Sequence, residues 1–170
     1  MRWLIAVLSV AWACPASAQW VHSKGEDNPF AGGSTQLAMS VGFSGFALAF
    51  RCTSTKDLSI LLITPEKPRA DQVAAIRSLP IEMLVIVDQQ PKVAIDAEID
   101  TTPDGDNYRV TAMGPNVVRL LNAAAEGSSR IAVAGQVGGK VIWTHSFGLS
   151  GSRRALQPLI TGCKIERLPG

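Results

Sequence analysis

Phe46-Ala47-Leu48-Ala49-Phe50-Arg51-Cys52 sets a large apolar side chain or a cysteine at every second position, and a period of two is the mark of a β-strand with one buried face. Cys52 shares that face with Phe46, Leu48 and Phe50, so any bond it makes lies in the core. Working outward, the short apolar runs Leu58–Ile63 (LSILLI) and Glu82–Val87 (EMLVIV) are too continuous for a one-sided strand and predict central strands covered on both faces. Over 93–100, Val93, Ile95, Ala97 and Ile99 alternate with Ala94, Asp96, Glu98 and Asp100, which predicts one face toward the core and one toward water. The Thr101–Asn107 segment (TTPDGDN) is turn chemistry, so Tyr108–Ala112 returns as a hairpin partner with Arg109 near the acidic face. Ile131–Ala134 and Val141–Phe147, separated by Gly135–Gly139, read as a last antiparallel pair.

Three helices are expected between and after these strands. Residues 69–79 carry the stripe Val73, Ile76, Leu79 between Pro68 and Pro80; Asn116 is placed to cap a helix bearing Val117, Leu120, Leu121 and Ala124 and ending at Gly127. Ser152 is placed to cap a final helix with Ala155, Leu156, Leu159 and Ile160, which Pro158 is expected to kink or shorten. The fold class is therefore mainly β, an antiparallel sandwich or an open barrel-like sheet, with two or three short helices, the last at the C-terminus. It occupies one domain over 36–170. Residues 19–35, polar and glycine-rich, read as an extended lead-in that Trp20 and Phe30 pin to the body.

Residues 1–18 read as a signal peptide: Arg2 supplies the charge, Trp3–Ala13 the apolar stretch, and Ala16-Ser17-Ala18 the small residues at a cleavage site. A competing reading makes Cys14 a lipid-attachment site, but Ala11-Trp12-Ala13 lacks the leucine usual three positions upstream. Cleavage after Ala18 removes Cys14 and leaves Cys52 and Cys163, which pair as a disulfide in an oxidising compartment, the alternative being two separate buried thiols. The expected location is periplasmic or secreted. The apolar stretch is shorter than the roughly 20 residues that span a bilayer, so no stable membrane insertion is expected. A formal charge of +2 that includes Arg2 gives no basic patch for nucleic acid.

Residues that could carry chemistry are few. The chain has two histidines: His22 in the lead-in, and His145 on the strand face of Trp143 and Phe147, where it is either a satisfied core residue or the wall of a pocket. Trp143 and His145 are thus the candidate ligand contacts. Neither Gly42-Phe43-Ser44-Gly45 nor Gly148-Leu149-Ser150-Gly151 has the spacing of a nucleophile elbow, and no glycine-rich segment continues into a phosphate-binding loop. Asp100, Asp104 and Asp106 miss the calcium-loop pattern, with Thr102 and Thr111 at ligand positions. Cys52 and Cys163 form no Cys-x-x-Cys motif. No catalytic residue, metal site or cofactor is expected.

Trp20 with Lys24-Gly25-Glu26-Asp27-Asn28-Pro29-Phe30, the strand end Phe50-Arg51-Cys52, and Phe147-Gly148-Leu149-Ser150-Gly151-Ser152-Arg153-Arg154-Ala155-Leu156 followed by Cys163 are similar in pattern to two groups of small exported bacterial proteins. These are the invasion-associated locus B family and the type VI secretion-associated periplasmic family called VasI. The segment 66–80 and the proline at 158 depart from both. The resemblance implies a compact β domain whose C-terminal helix is tied back by a disulfide, acting in the cell envelope without known catalysis. The function expected is a non-enzymatic envelope protein that binds another protein or assists an assembly. The alternatives are a small-ligand or carbohydrate-binding module near Trp143 and His145 and, third, a cryptic hydrolase using Asp96, Glu98 or His145.

Overall fold

The alternation at 46–52 is realised as a strand whose Leu48, Phe50 and Cys52 point into the core, with Ala47 and Ala49 buried on the other face. A computed structural model describes residues 19–28, 33–53 and 55–165; the expected signal peptide over 1–18, which includes Cys14, lies outside the described residues, as do Pro29 and Phe30. The elements are β1 (Trp20–Asn28), β2 (Gly33–Val41), β3 (Ala47–Cys52), β4 (Leu58–Ile63), α1 (Ala70–Arg77), β5 (Ile81–Val87) and β6 (Val93–Thr101). They continue with β7 (Tyr108–Met113), α2 (Pro115–Glu126), β8 (Arg130–Val137), β9 (Lys140–Gly148) and α3 (Ser152–Gly162).

The strands form one antiparallel sheet in the order β1-β2-β3-β4-β7-β6-β5-β8-β9. A sheet this wide accumulates twist until it curls, and here it becomes a half-barrel, so of the two expected architectures the open barrel-like one is adopted. Its hollow is filled by α2 and α3, whose stripes Val117, Leu120, Leu121, Ala124 and Ala155, Leu156, Leu159, Ile160 are buried in one core with Leu48, Phe50, Leu62, Met83, Val85, Ile131 and Phe147. The curl brings the two edge strands together at one end, where the Trp20 indole N–H donates to the Gly148 carbonyl at 2.7 Å. Elsewhere the edges are interrupted by register shifts, between Lys24 and Asp27 in β1 and opposite Gly135/Gln136 in β9. Such bulges discourage edge-to-edge pairing with other chains.

The disulfide joins Cys52 at the end of β3 to Cys163 just past α3, with Cα atoms 6.3 Å apart. It fastens the last helix onto β3, the strand whose inward face carries Leu48 and Phe50. Its neighbour Gln36, opposite Cys52 in β2, lies so close to Gly162 of α3 that a Cβ there would stand 1.9 Å from Nε2.

Several expectations are corrected. Regular structure begins at Trp20, not Gln36: the polar lead-in is itself an edge strand, hydrogen-bonded to β2 from Trp20↔Ser40 to Asn28↔Gly33. Asn116 does not cap α2; Gly114 precedes it and Pro115 takes the first helical position, where a missing N–H costs nothing. Ser152 is likewise not a cap but a buried contact, its hydroxyl donating to the Ala124 carbonyl at 2.8 Å to hold α3 on α2. Pro158 does not shorten α3, which runs to Gly162 with the proline on its exposed side. The β8–β9 connection is tighter than 135–139, a two-residue turn at Gly138 (φ 55°) and Gly139 (φ 80°), the backbone that a glycine pair supplies without strain.

Candidate functional site

Strand alternation does place Trp143, His145 and Phe147 on one side of β9, and the curl of the sheet decides what they meet. Trp143 is opposite Gly135 in β8 and covers it: a Cβ on Gly135 would lie 2.3 Å from Trp143 Cε3. An indole laid over a strand glycine fills the space that a missing side chain leaves. Half-buried His145 reaches across the seam of the half-barrel to the turn between β2 and β3. Its ring stacks on Phe46, with centroids 4.9 Å apart and planes at 12°, and meets Phe147 edge-on at 4.7 Å and 69°. Nδ1 lies 3.1 Å from the Ser44 hydroxyl, and Nε2 sits over Gly42, where a Cβ would stand 2.3 Å away. Burial pushes the imidazole below its ordinary pKa, because the cation loses hydration that these neighbours do not replace.

The turn thus held is short and internally bonded: the Gly42 amide donates to the Phe46 carbonyl at 2.7 Å and the Gly45 amide to the Gly42 carbonyl at 3.2 Å. On its far side Gly45 abuts Pro65. At its tip stands Phe43, 82% exposed, with Val41 and Val21 each 52% exposed. Val21 pairs with Met39 in β2, so Val21 and Val41 share a face as diagonal cross-strand neighbours. The sequence reading missed Phe43, since nothing in its spacing separates an exposed aromatic from a buried one.

The other candidates sit elsewhere. His22 is on β1, its Nε2 3.2 Å from the Gln36 Oε1 that accepts from it, far along the chain from His145. Glu82 and Asp96 face each other across β5 and β6, and Glu82 accepts from Gln136 Nε2 at 2.7 Å. Asp96 and Glu98 are exposed beside a shallow depression of about 290 Å³ that also touches Ala97, Thr111 and Met113. Asp100 is engaged by Arg77 and by Arg109, the latter at 3.8 Å; the Arg77 hydrogen bond, the Thr101 amide and both guanidinium charges hold it below the usual carboxylate range. Arg109 does lie by the acidic face, opposite Asp100 in β7. Asp104 is occupied within its own turn by the Thr102 hydroxyl and the Asp106 amide, which lower its pKa. Among the described residues no group of three or more His, Cys, Asp or Glu is arranged to hold a metal ion, and no helix is long and apolar enough to cross a membrane.

A groove of about 690 Å³ runs along Asp88, Gln89, Gln90, Ser128, Ser129 and Arg130. Its floor is a structural clasp: Asp88, at φ 51°, accepts the amides of Ser128, Ser129 and Arg130 at 3.0, 3.0 and 2.8 Å. These donors hold its carboxyl below the ordinary value, and the clasp ties the α2–β8 connection to the β5–β6 turn.

No protein-family model matches the chain, and no curated protein does. Among solved structures the chain is similar to the crystal structure of invasion-associated protein B from Bartonella henselae, with 16% sequence identity, a TM-score of 0.45, and coverage of 86% of this chain and 95% of that one. Identity at this level carries no function across, so function is argued from the site itself.

Proposed function

We propose that this protein is a non-enzymatic, exported envelope protein that binds another protein through the tip of its β2–β3 turn. The observation that carries the reading is Phe43, 82% exposed on a turn held from both sides, with Val21 and Val41 half-exposed beside it. An aromatic side chain presented on a rigid backbone loses little entropy on burial and is the usual anchor of a binding hot spot. The bulged edges of β1 and β9 favour side-chain docking over strand addition. The Cys52–Cys163 disulfide supports an oxidising compartment, in keeping with the leader read in residues 1–18.

Photo-crosslinking in the intact envelope tests this. A crosslinking amino acid at position 43 is expected to trap a defined partner that one at Glu98, on the acidic face, does not. Purified wild-type protein should compete the adduct away and a folded Phe43→Ser protein should not. Equal competition by Phe43→Ser removes the turn from the interface and refutes the reading.

A further inference from the structure

We propose that His145 is a pH-sensitive latch on the β2–β3 turn: as the neutral imidazole it clamps the turn, and with it Phe43, against β9, and its protonation releases the clamp. The inference deepens the binding role proposed for Phe43 and rests on it for its biological consequence, but the latch itself stands on the geometry around the ring.

That geometry suits a neutral ring. One nitrogen is engaged, Nδ1 with the Ser44 hydroxyl at 3.1 Å, and that hydroxyl can serve as donor or acceptor. The other, Nε2, lies over the Cα of Gly42, a group that accepts no hydrogen bond. The imidazolium must present N–H at both nitrogens, so the second proton faces the Gly42 methylene. The remaining surroundings are apolar: Phe46 on the ring face, Phe147 on its own strand, and buried Val133 opposite it in β8. None of these groups titrates. The charged residues of β8 and β9 are Arg130, opposite Gly148, and Lys140, at the hairpin; both are cations, and neither favours a second positive charge, while on the far side of the turn the Pro65 that Gly45 abuts is followed by one charge of each sign, Glu66 and Lys67. The Phe46 face attracts a cation. Half-burial opposes it by stripping the cation of hydration, and moves the imidazole's pKa downward.

The sign follows from linkage. A histidine whose folded pKa lies below its unfolded value takes up its proton more readily when its surroundings open. The closed turn therefore keeps its full stability above the ordinary histidine pKa of about 6.5, and loses stability as pH falls below that until the folded form is itself protonated. The position of the ring makes this local: the groups freed are Ser44, Phe46 and the Gly42 backbone, which together fix the orientation of Phe43.

The test is amide hydrogen exchange on the whole protein between pH 7.5 and 5, corrected for the intrinsic pH dependence of exchange. The reporters are the turn-bonded amides of Gly42 and Gly45. Their protection is expected to fall severalfold across this range in the wild type and to stay flat in His145→Phe, which keeps an aromatic ring but cannot take a proton. In parallel, the His145 ring resonances of the wild type should titrate below the ordinary histidine value. Constant protection, an equal fall in His145→Phe, or titration at or above the ordinary value overturns the latch. Competition by Phe43→Ser at pH 7.5, where the clamp is closed, reports on the binding role separately, so failure of one reading is told apart from failure of the other.

Discussion

Replacing Cys52 and Cys163 together by alanine tests how much of the fold depends on fastening α3 to β3. The bridge closes a loop between positions 111 residues apart. In the chain-entropy treatment a loop of that length restricts the unfolded chain by about 5 kcal/mol at 25 °C. A domain of this kind has roughly 5–15 kcal/mol in all, so the loss takes a third of it or more. Alanine is the better replacement because both cysteines are buried, and a serine hydroxyl there would add a desolvation cost of its own. The assay is urea unfolding of three samples: oxidised wild type, reduced wild type and the double-alanine variant. Reduced wild type should lose about 5 kcal/mol, with a steeper denaturant dependence as its unfolded chain expands, and the variant should lose somewhat more through two missing sulfurs. A loss under about 1 kcal/mol on reduction would show that the bridge does not carry this stability, the unfolded ends being held near each other without it.

Two further perturbations follow from close contacts and charge. Gly162→Ala drives a Cβ into the Gln36 side chain; because that amide can swing away at the expense of its contact with His22, the expected cost is about 1–2 kcal/mol, and Gln36→Ala in the same chain should recover most of it in thermal unfolding. Asp88→Ala removes the acceptor of three backbone amides and is expected to cost about 2 kcal/mol at pH 7. Since the folded pKa of Asp88 lies below its unfolded value, the wild-type advantage is complete above about pH 4 and shrinks as pH falls through the folded pKa. A gap between the two proteins that stayed constant down to pH 2 would exclude the carboxylate as its source.

The strands were legible wherever burial imposes a period. β3, β6 and the two core-facing helices show their inward residues in the sequence, because water on one side and packing on the other select side chains position by position. β1 was not legible: an edge strand pairs on one side only, and its Ser23, Lys24 and Gly25 are exposed, so its residues resemble a loop. The helix starts were misplaced by one or two residues because Gly114 with Pro115, and Gly151 before Ser152, do the work expected of Asn116 and Ser152. Pro158 misled because the hydrogen bond it costs α3 is outweighed by the buried stripe Ala155, Leu156, Leu159 and Ile160, which holds the helix through to Gly162. At the site, the common face of Trp143 and His145 was readable, but Ser44 and Phe46, about a hundred residues away, come into reach only because the sheet curls. Exposure of Phe43 is a property of the closed structure and has no signature in local spacing.

The Trp20 indole bonded to Gly148 has a consequence for synthesis. A chain emerging amino end first carries β1 with nothing to close against until residue 148 follows, and the sulfur of Cys52 waits longer still for its mate. The seam is thus completed by residues 145–148, so β1 and the β2–β3 turn stay unlocked until those positions have arrived.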